Sequence, residues 1–487
     1  MTHDPDARRP PVALTQVQQE AVVELVRVAP IVDELGERFA AAGFGLALVG
    51  GSVRDALLER LGHDLDFTTD ARPDDIVALL EGWVDAMWDV GREFGTIAAR
   101  RGDYDLEITT YRSEAYDAES RKPQVQYGDS LAGDLVRRDF TVNAMALTLP
   151  HHEFVDPHGG LTDLDARRLM TPGTPEQSFT DDPLRMMRAA RFASQLGFDV
   201  DPAVVAAMTS MNERIQIVSA ERVRDEIVKL MVGEFPRRGL ELLCDTGLAE
   251  HVLPELPAMK ATADEHNRHK DVYEHTLTVL DQAVALETTH APTTTPDFAL
   301  RFAALMHDIG KPKTRRFEGS NRVTFHHHEV VGAKMTRKRM KALRFSNESI
   351  DEVSKLVELH LRFHGYGSGE WTDSAVRRYV RDAGDQLVRL HKLTRADCTT
   401  RNARKAQALA RTYDHLEERI AVLAAQEELD AIRPDLDGAQ IMRILDIGPG
   451  PEVGQAYRFL LDLRLDRGPL PQDLAEEALR AWWAARP

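Results

Sequence analysis

The chain has 487 residues, of which 43% are hydrophobic and 29% charged, and its formal net charge is -18 at pH 7. This acidity argues against a protein that coats nucleic acid indiscriminately, although a selective RNA binder with clustered basic residues remains compatible with it. Two cysteines are too few for a disulfide framework or a thiolate zinc site, and no signal peptide or membrane-spanning apolar run is visible. We therefore expect a protein of the reducing cytoplasm that makes no membrane contact.

The N-terminal third of the chain mixes predicted helices and strands. Residues 1–42 read as a proline-containing tail followed by a helix from Thr15 to Ala42. Short strand-like runs then alternate with a helical stretch near 73–87; the runs are LALVG, DLDFT, TIAAR and DLEITTYR. Residues 112–130 are polar and punctuated, which predicts a mobile loop. The pattern indicates an α+β head, after which helical spacing dominates.

A glycine turn and two acids stand out in LALVGGSVRDALLERLGHDLDFTTD. Gly50 and Gly51 precede a predicted helix, so backbone N–H groups there can approach a phosphate, and Arg54 is placed to reach a triphosphate. Asp64 and Asp66 are two residues apart on a predicted strand, so their carboxylates share one side. Paired carboxylates are typical of Mg²⁺ sites, and two such ions can serve an in-line phosphoryl displacement.

A third carboxylate usually completes such a site. The later strand DYDLEITTYR places Asp105 and Glu107 on one face, and Glu107 is the better candidate. Alternation alone does not separate Glu107 from Asp105. Single features of this kind have ordinary structural explanations, whereas their ordered combination predicts nucleotide chemistry.

Four motifs carry a resemblance to a known family: VGGSVRDALL, DLDFTT, RRDFTVNAMA and DDPLRMMRAARF. They resemble the successive motifs of the class II tRNA nucleotidyltransferases, a family shared with bacterial poly(A) polymerases that adds or repairs the 3′ CCA end of tRNA. The resemblance runs from about residue 43 to 260 and returns in GPGPEVG. It implies a polymerase-β-type head with a mixed sheet, followed by an all-α neck, an HD body and a tail that binds tRNA. The implied boundaries are 43–170, 171–262, 263–405 and 406–487.

The resemblance also assigns roles to RRDFTVNAMAL. It implies that Arg138 contacts the incoming nucleotide, and that Asp139 and Asn143 hold the ribose or the loop. The helix ERVRDEIVKLM further along is given a structural role only.

Base choice is implied to lie in DDPLRMMRAARF. Pro183 suits a first helical turn, capped by Asp181 or Asp182. The resemblance implies that Asp182 and Arg185 read the base edge; it also places further arginines near the nucleotide, namely Arg188 and Arg191. Arginine only donates hydrogen bonds and ionised aspartate only accepts them, a combination that suits cytosine and adenine but opposes guanine and uracil.

The helical body contains a second group of chemically interesting residues. The order H…HD…D resembles the HD superfamily of metal-dependent phosphohydrolases, and the matching residues are His275, His307, Asp308 and Asp397. Imidazole and carboxylate together suit several divalent metals. Two more histidines, His328 and His360, would add a second metal or bind phosphate, whereas His326, His327 and His364 are expected to be bystanders. HD folds also persist as scaffolds, so hydrolytic activity stays open.

These features predict an enzyme that adds CCA to tRNA from CTP and ATP without a nucleic-acid template, using two Mg²⁺ in the head and releasing pyrophosphate. A poly(A) polymerase with an ATP preference is one alternative. An HD-domain phosphohydrolase with a silent nucleotidyltransferase head is the other, and the intact Gly50, Gly51, Asp64, Asp66 and Arg185 argue against it.

Overall fold

A computed structural model describes residues 30–60, 62–89, 91–115, 124–128, 130–260, 271–318, 322–365, 371–400, 402–427 and 433–486. The chain divides into two compact units, the first ending at Val252 and the second beginning at Leu253. The predicted N-terminal tail and the predicted helix as far as residue 29 lie outside the described residues; the rest of that helix is present.

A seven-stranded sheet forms the framework of the first unit. Its strands are β1 Leu46–Val49, β2 Asp64–Thr69, β3 Ala86–Trp88, β4 Thr96–Arg101, β5 Tyr104–Thr110, β8 Ala146–Leu149 and β9 Phe154–Val155. Across the sheet these strands follow the order β3-β4-β5-β2-β1-β8-β9. Strands β2 and β5 pair in parallel and the other neighbours pair antiparallel. The mixed sheet expected for the head is therefore confirmed.

Alternation along β2 and β5 decides which side chains reach the open face of this sheet. Leu65 and Phe67 of β2 are each 1% exposed, and the corresponding residues of β5, Leu106 and Ile108, are equally buried. Because successive side chains on a strand point to opposite faces, burying these four directs the intervening acids away from the core.

Eleven described helices belong to the first unit: α1 Pro30–Ala41, α2 Gly51–Leu57, α3 Pro73–Leu80, α4 Leu131–Val136, α5 Gly160–Asp165, α6 Pro175–Asp181, α7 Leu184–Leu196, α8 Pro202–Met211, α9 Ala220–Met231, α10 Pro236–Asp245 and α11 Ala249–Val252. The region after residue 170 is helical as predicted, apart from one short parallel pair between β10 (Arg168–Leu169) and β11 (Asp199–Val200). Helix α7 ends at Gly197, whose φ of 67° is a left-handed conformation that glycine adopts readily.

The segment predicted as a mobile loop contains two strands. β6 (Arg112–Ala115) pairs antiparallel with β7 (Gln124–Tyr127), while residues 116–123 and 129 lie outside the described residues. The polar side chains of this segment gave no strand signal. The strands form all the same, because the ladder consists of hydrogen bonds between backbone N–H and C=O groups, which do not depend on the side chains.

The second unit is mostly helical. Its described helices are α12 Glu255–Lys260, α13 Val272–Thr289, α14 Phe298–Met306, α15 Lys311–Thr314, α16 His328–Ala342, α17 Asn347–Leu359, α18 Asp373–Ala383, α19 Leu387–Ala396, α20 Ala403–Glu427, α21 Gly438–Leu445, α22 Pro451–Arg467 and α23 Gln472–Ala484. A short antiparallel pair joins β12 (Arg316–Glu318) to β13 (Arg322–Thr324). The last three helices share a small core of their own around Leu436, Ile441, Leu460 and Leu479.

Candidate active site

A cavity of about 680 Å³ opens over the sheet of the first unit. Its lining includes the predicted catalytic and nucleotide-binding residues Gly50, Gly51, Arg54, Asp66, Glu107, Arg138, Asp139 and Asn143 of the head, and Asp182, Arg185, Arg188 and Arg191 of the predicted neck. Of the residues predicted for this site, Asp64 alone is not part of the lining; it lies exposed at the first position of β2. The fold thus gathers, around one space, motifs that are separated by more than a hundred residues in the sequence.

Strand register distinguishes the two candidates for the third acid. In the parallel ladder Asp66 lies beside Glu107, and Asp64 lies beside Asp105. The Asp105 carboxylate accepts hydrogen bonds from Arg100 Nε at 2.6 Å and Nη2 at 3.0 Å, so its charge is balanced outside the cavity. Glu107 faces the cavity beside Asp66, which favours it over Asp105 as the third carboxylate.

The acids of the sheet repel one another. Burial, reinforced by the negative charges of Glu107 and Asp64, raises the pKa of Asp66 to about 6, despite the opposing attraction of Arg138 and Arg54. Carboxylate oxygens that lack sufficient counter-charge fit a hard divalent cation. Among the described residues, however, these three acids do not bring ligand atoms within 4.8 Å of one another; only two groups in the second unit do so.

The glycine turn is shaped to admit a basic group. Gly50 has φ 67° and ψ −132°, and a Cβ added there would lie 2.9 Å from Nη1 of Arg138. Arg138 Nη2 donates to Asp134 Oδ2 at 3.1 Å, and Asp134 is buried. A side chain at position 50 would therefore strain the backbone and displace the guanidinium that covers the turn.

A chain of hydrogen bonds runs along the cavity floor. Arg54 donates through Nε and Nη2 to the Asp55 carboxylate, at 2.8 and 2.7 Å, and through Nη1 to Asn143 Oδ1. Asn143 Nδ2 then donates to Asp139 Oδ1 at 2.9 Å, and Asp139 Oδ2 accepts from Arg188 Nε at 2.6 Å. Arg54 thus lines the cavity with three of its nitrogens already engaged, and its contact with a triphosphate stays a prediction.

Asp139 is the buried centre of this chain. Burial alone would raise its pKa, but the charge of Arg188 and the hydrogen bond from Asn143 hold that pKa well below its usual range. Asp139 therefore stays ionised and anchors Arg188 at the edge of the cavity. In this geometry it holds Asn143 and Arg188, and its predicted role in holding the ribose or the loop stays a prediction.

The predicted base-reading pair is held rigidly at the start of α7. Asp182 Oδ1 accepts from the backbone N–H of Leu184, the first residue of this helix, at 3.0 Å, while Pro183 rather than the predicted Asp181 or Asp182 is the N-cap residue. Arg185 Nη1 donates to Ser178 Oγ at 2.9 Å, and its Nη2 donates to the Arg137 carbonyl. The cavity thus presents a fixed acceptor and a fixed donor on neighbouring turns; their contact with a base stays a prediction.

Phe192 gathers the arginines of the site, a role that sequence analysis missed. The guanidinium carbons of Arg191, Arg54 and Arg188 lie 4.2, 5.2 and 5.6 Å from the centre of its ring. Burial, followed by repulsion from Arg188, lowers the pKa of Arg191 to about 10, although Glu226 lies 3.3 Å away. The aromatic face attracts cations that otherwise repel one another.

In the second unit, the four residues predicted for an HD-type site come together from three helices. His275 lies on α13, His307 and Asp308 follow α14, and Asp397 follows α19. His275 Nε2 lies 3.0 Å from Asp397 Oδ1 and 3.4 Å from both Asp308 Oδ2 and His307 Nε2. Ends of helices separated by over a hundred residues thus converge on one point.

His328 and His360 extend this cluster, and the cluster divides into two groups that fit a metal ion. Ligand atoms lie within 4.8 Å of one another in each group; the groups are His275, His307 and Asp397, and Asp308, His328 and His360. Three of the imidazoles donate Nδ1–H to a carbonyl three residues earlier; the pairs are His307 to Ala304, His328 to Phe325 and His360 to Val357. That bond leaves Nε2 as the inward-facing nitrogen, the arrangement expected of metal-ligating histidine.

The electrostatics of the cluster also fit a cation. Burial disfavours the charged form of His307, but Asp308 and Asp397 outweigh it and raise its pKa to about 9. Burial and the repulsion from His307 lower the pKa of His360 to about 3, and its buried Nε2 has no hydrogen-bond partner among the described residues. Gly310 permits the crowding, because a Cβ there would lie 2.2 Å from the His328 carbonyl oxygen.

Comparison with known proteins agrees with this geometry. Three family models match: "Poly A polymerase head domain" over residues 46–170, "Probable RNA and SrmB- binding site of polymerase A" over 197–259, and "HD domain" over 272–402. A CCA-adding enzyme of Streptococcus gordonii is 30% identical over 456 residues, which cover 92% of this chain and 94% of that protein. An A-adding tRNA nucleotidyltransferase of Deinococcus radiodurans is 32% identical over 432 residues, which cover 86% and 91%.

This chain belongs to the tRNA nucleotidyltransferase family that includes the CCA-adding enzymes. It is a nucleotidyltransferase with an HD domain, as the motifs predicted. The fold agrees as well: the CCA-adding enzyme of Bacillus stearothermophilus, whose structure was determined in complex with CTP, aligns with a TM-score of 0.66 and 22% identity over 97% of this chain and 99% of that one.

Several supporting residues of this nucleotidyltransferase gave no usable signal in the sequence. Asp134 holds Arg138, and Arg222 on α9 donates to Asp182 Oδ2 at 2.8 Å. Both are charged residues in ordinary helical patterns, and only the tertiary contact shows their use.

No helix in the described part of the chain is both long enough and apolar enough to cross a membrane.

Asp66→Asn is expected to stabilise the metal-free nucleotidyltransferase at neutral pH. The pKa of Asp66 is about 6 in the folded protein against 3.8 unfolded, so its ionisation lowers the free energy of unfolding as pH rises through this interval, by about 3 kcal/mol in all. Urea denaturation in EDTA should therefore show a gain for the variant at about pH 7.5 and none below about pH 4. Asp105→Asn removes a carboxylate already paired with Arg100, and should stabilise at neither pH. A variant no more stable than wild type at neutral pH would contradict the account of the acid pair.

Proposed function

We propose that this nucleotidyltransferase adds or repairs the 3′-terminal CCA of tRNA from CTP and ATP, releases pyrophosphate and uses no nucleic-acid template. The observation that carries this proposal is that one cavity is lined both by Asp66 and Glu107 and by the Asp182–Arg185 pair. Similarity to a CCA-adding enzyme along nearly the whole chain supports the proposal.

Base choice follows from the hydrogen-bonding groups of Asp182 and Arg185. Cytosine and adenine each present an amine beside a ring-nitrogen acceptor, which match an accepting carboxylate and a donating guanidinium. Uracil and guanine present a carbonyl and a ring N–H at these places, so each polar group would meet its like. Leaving such groups unpaired in a buried site costs enough to reject the wrong nucleotide.

Asp64, Asp66 and Glu107 are the residues that would hold Mg²⁺, and two such ions supply charge stabilisation at the attacking and leaving oxygens. Asp64 lies exposed at the end of β2 and lends its charge to the same site as Asp66. Arg138, Arg188 and their neighbours would hold the triphosphate. The tRNA 3′-hydroxyl would then attack the α-phosphate in line and displace pyrophosphate.

The domain boundaries form part of the proposal. We assign the head to residues 43–170, the neck to 171–262, the HD body to 263–405 and the tRNA-binding tail to 406–487, after an N-terminal segment, 1–42. On helix α16 three exposed lysines recur on one face, at Lys334, Lys338 and Lys341, and offer a surface for RNA phosphates. With tRNA and nucleoside triphosphates as substrates, the reaction belongs in the cytoplasm.

The histidine cluster is proposed to bind divalent metal. His275, His307, Asp308 and Asp397 would hold one ion, and His328 with His360 would complete a second group around Asp308. Such a centre supplies Lewis acidity toward phosphoesters, so a second, phosphohydrolase activity is chemically consistent with it.

Removing single acids tests the head assignment. Alanine at Asp64 or Asp66 should lower nucleotide addition to CCA-less tRNA by about a thousandfold or more, because charge stabilisation of the transition state is lost. Glu107→Ala should also impair addition, whereas Asp105→Ala, the matched control on the same strand, should retain it. The readout is radiolabelled CTP incorporation by variants with wild-type circular dichroism. Full activity of the Asp64 or Asp66 variant would refute the assignment.

The choice of nucleotide and RNA substrate distinguishes full CCA addition from addition of the terminal A alone and from poly(A) synthesis. A full CCA-adding enzyme should extend tRNA lacking its last three nucleotides with CTP alone, and should then add A when ATP is supplied. An enzyme that adds only the terminal A would leave that tRNA unchanged and extend only tRNA ending in CC. A poly(A) polymerase would use ATP on either RNA and add long tails. Product length on a sequencing gel therefore decides among the three.

Metal analysis tests the histidine cluster. The wild-type protein should retain divalent metal after desalting, and the His307→Ala/Asp308→Ala variant should lose it. If that variant folds poorly, His275→Ala provides a second one, because the side chain of His275 is less buried than those of His307 and Asp308. His290→Ala is the control, since His290 pairs with Glu417 outside the cluster. The metal content is measured by inductively coupled plasma analysis. Equal content in all four proteins would contradict metal binding by the histidine cluster.

A further inference from the structure

The open face of the head sheet continues beyond the acids of the candidate site to an exposed tryptophan. Asp66 of β2 lies beside Glu107 of β5 in the parallel ladder. Glu107 lies in turn beside Ala98 of β4, and Ala98 beside Trp88 of β3. Residues directly opposite each other in a sheet point to the same face, so these side chains form one row. The row ends at Trp88, because β3 is the edge strand.

Trp88 offers a flat surface beside a fixed cation. The residue is 43% exposed, and the guanidinium carbon of Arg100 lies over its ring, 5.7 Å from the ring centre. Arg100 donates through two nitrogens to the Asp105 carboxylate, which fixes the guanidinium in that place. Since an indole has two faces, the other face is left for a planar ligand. Exposed aromatic rings flanked by positive charge are the surfaces on which unpaired nucleic-acid bases stack.

The strand order puts Trp88 on the side from which the acceptor RNA must arrive. The Gly50 turn and the Arg138 guanidinium that covers it belong to the β1 side of the acids, whereas β4 and β3 extend to the other side. In an in-line displacement the attacking and leaving oxygens lie on opposite sides of the phosphorus. If the β1 side holds the triphosphate, the attacking 3′-hydroxyl comes over β5 and β4, and its RNA strand extends toward β3.

The spacing suits the end of an RNA strand. Neighbouring strands of a sheet are about 4.8 Å apart, so the backbone of Trp88 lies about 10 Å from that of Glu107. Ala98 is the residue between them, and its small side chain leaves room above the sheet. A nucleotide whose 3′-hydroxyl is at the acids thus has its own base, or that of the nucleotide before it, within reach of the ring.

Resting on the proposed function, we propose that Trp88 is a stacking platform for the single-stranded 3′ end of the acceptor tRNA. The ring binds one of the last two bases and so directs the 3′-hydroxyl to the acids. Stacking tolerates any base, because every base has a flat face. One ring therefore serves an RNA end whose sequence changes with each nucleotide added.

A second tryptophan of the same segment provides a matched control. The guanidinium carbon of Arg101 lies 4.1 Å from the centre of the Trp83 ring, and Trp83 Nε1 donates to Glu34 of α1 at 3.3 Å. Arg101 follows Arg100 on β4, so its side chain points to the opposite face of the sheet. Trp83 thus lies on the face away from the acids.

The test compares Trp88→Leu with Trp83→Leu in the full-length chain, using CCA-less tRNA with CTP and tRNA ending in CC with ATP. Trp88→Leu should raise the KM for tRNA by about tenfold to a hundredfold, the loss expected for one stacked base, with the KM for the nucleotide and the thermal midpoint unchanged. Trp88→Phe should stay close to wild type, because a phenyl ring also stacks. Trp83→Leu should leave both KM values unchanged.

Changing the RNA gives an independent measurement. The KM of the wild-type protein should rise for tRNA whose last two nucleotides lack bases, and Trp88→Leu should raise it little further, because the partner of the ring is already gone.

An unchanged KM for tRNA in Trp88→Leu would overturn the inference. A rise in the KM for CTP alone would also overturn it, by making Trp88 part of the nucleotide site. So would a changed sedimentation coefficient of Trp88→Leu, by making β3 a contact between copies of the chain. A wild-type protein that adds no nucleotide to either tRNA would instead overturn the proposed function, which the other outcomes leave standing.

Discussion

The parallel register of β2 and β5 is the constraint on which the head depends, because it sets Asp66 directly beside Glu107. Two carboxylates in that position repel each other, and the buried Leu65 and Ile108 prevent either strand from turning to relieve them. The hydrophobic face of the sheet thus provides the free energy that keeps the acids together. Burial, and after it the repulsion from Glu107, raises the pKa of Asp66, and a divalent cation would favour its ionised form.

The cavity lining also contains many arginines, whose positive charges repel one another. Hydrogen bonds from the guanidinium groups to fixed partners reduce this repulsion. Arg54 donates to Asp55 and Asn143, and Arg188 donates to Asp139. Groups held in this way cannot follow a ligand, so charge and hydrogen-bond direction are set before a nucleotide arrives. Preorganisation of this kind would let a small protein surface select a base in place of a nucleic-acid template, as we propose for this chain.

Sequence patterns predicted the parts of this site that obey local rules. Alternation placed Asp64 and Asp66 on one side of a strand, and capping preferences placed Asp181 or Asp182 at the start of a helix. The choice of Glu107 could not be settled locally, because it depends on which strand lies beside β2 and in which register. Arg222 was missed for the same reason, since an exposed helical arginine looks alike whether it meets water or a distant carboxylate.

The histidine cluster follows the same logic as the acid pair, with a different anchor. Carbonyl groups at the ends of helices, rather than a buried sheet face, fix His307, His328 and His360 with their Nε2 atoms directed inward. Three imidazoles and the Asp308 carboxylate then share a space where His360 cannot take up a proton near neutral pH. Both centres therefore place like groups together at a cost that the fold meets through backbone geometry. A cation bound at either centre would offset this cost, which is the physical reason for proposing metal binding at both.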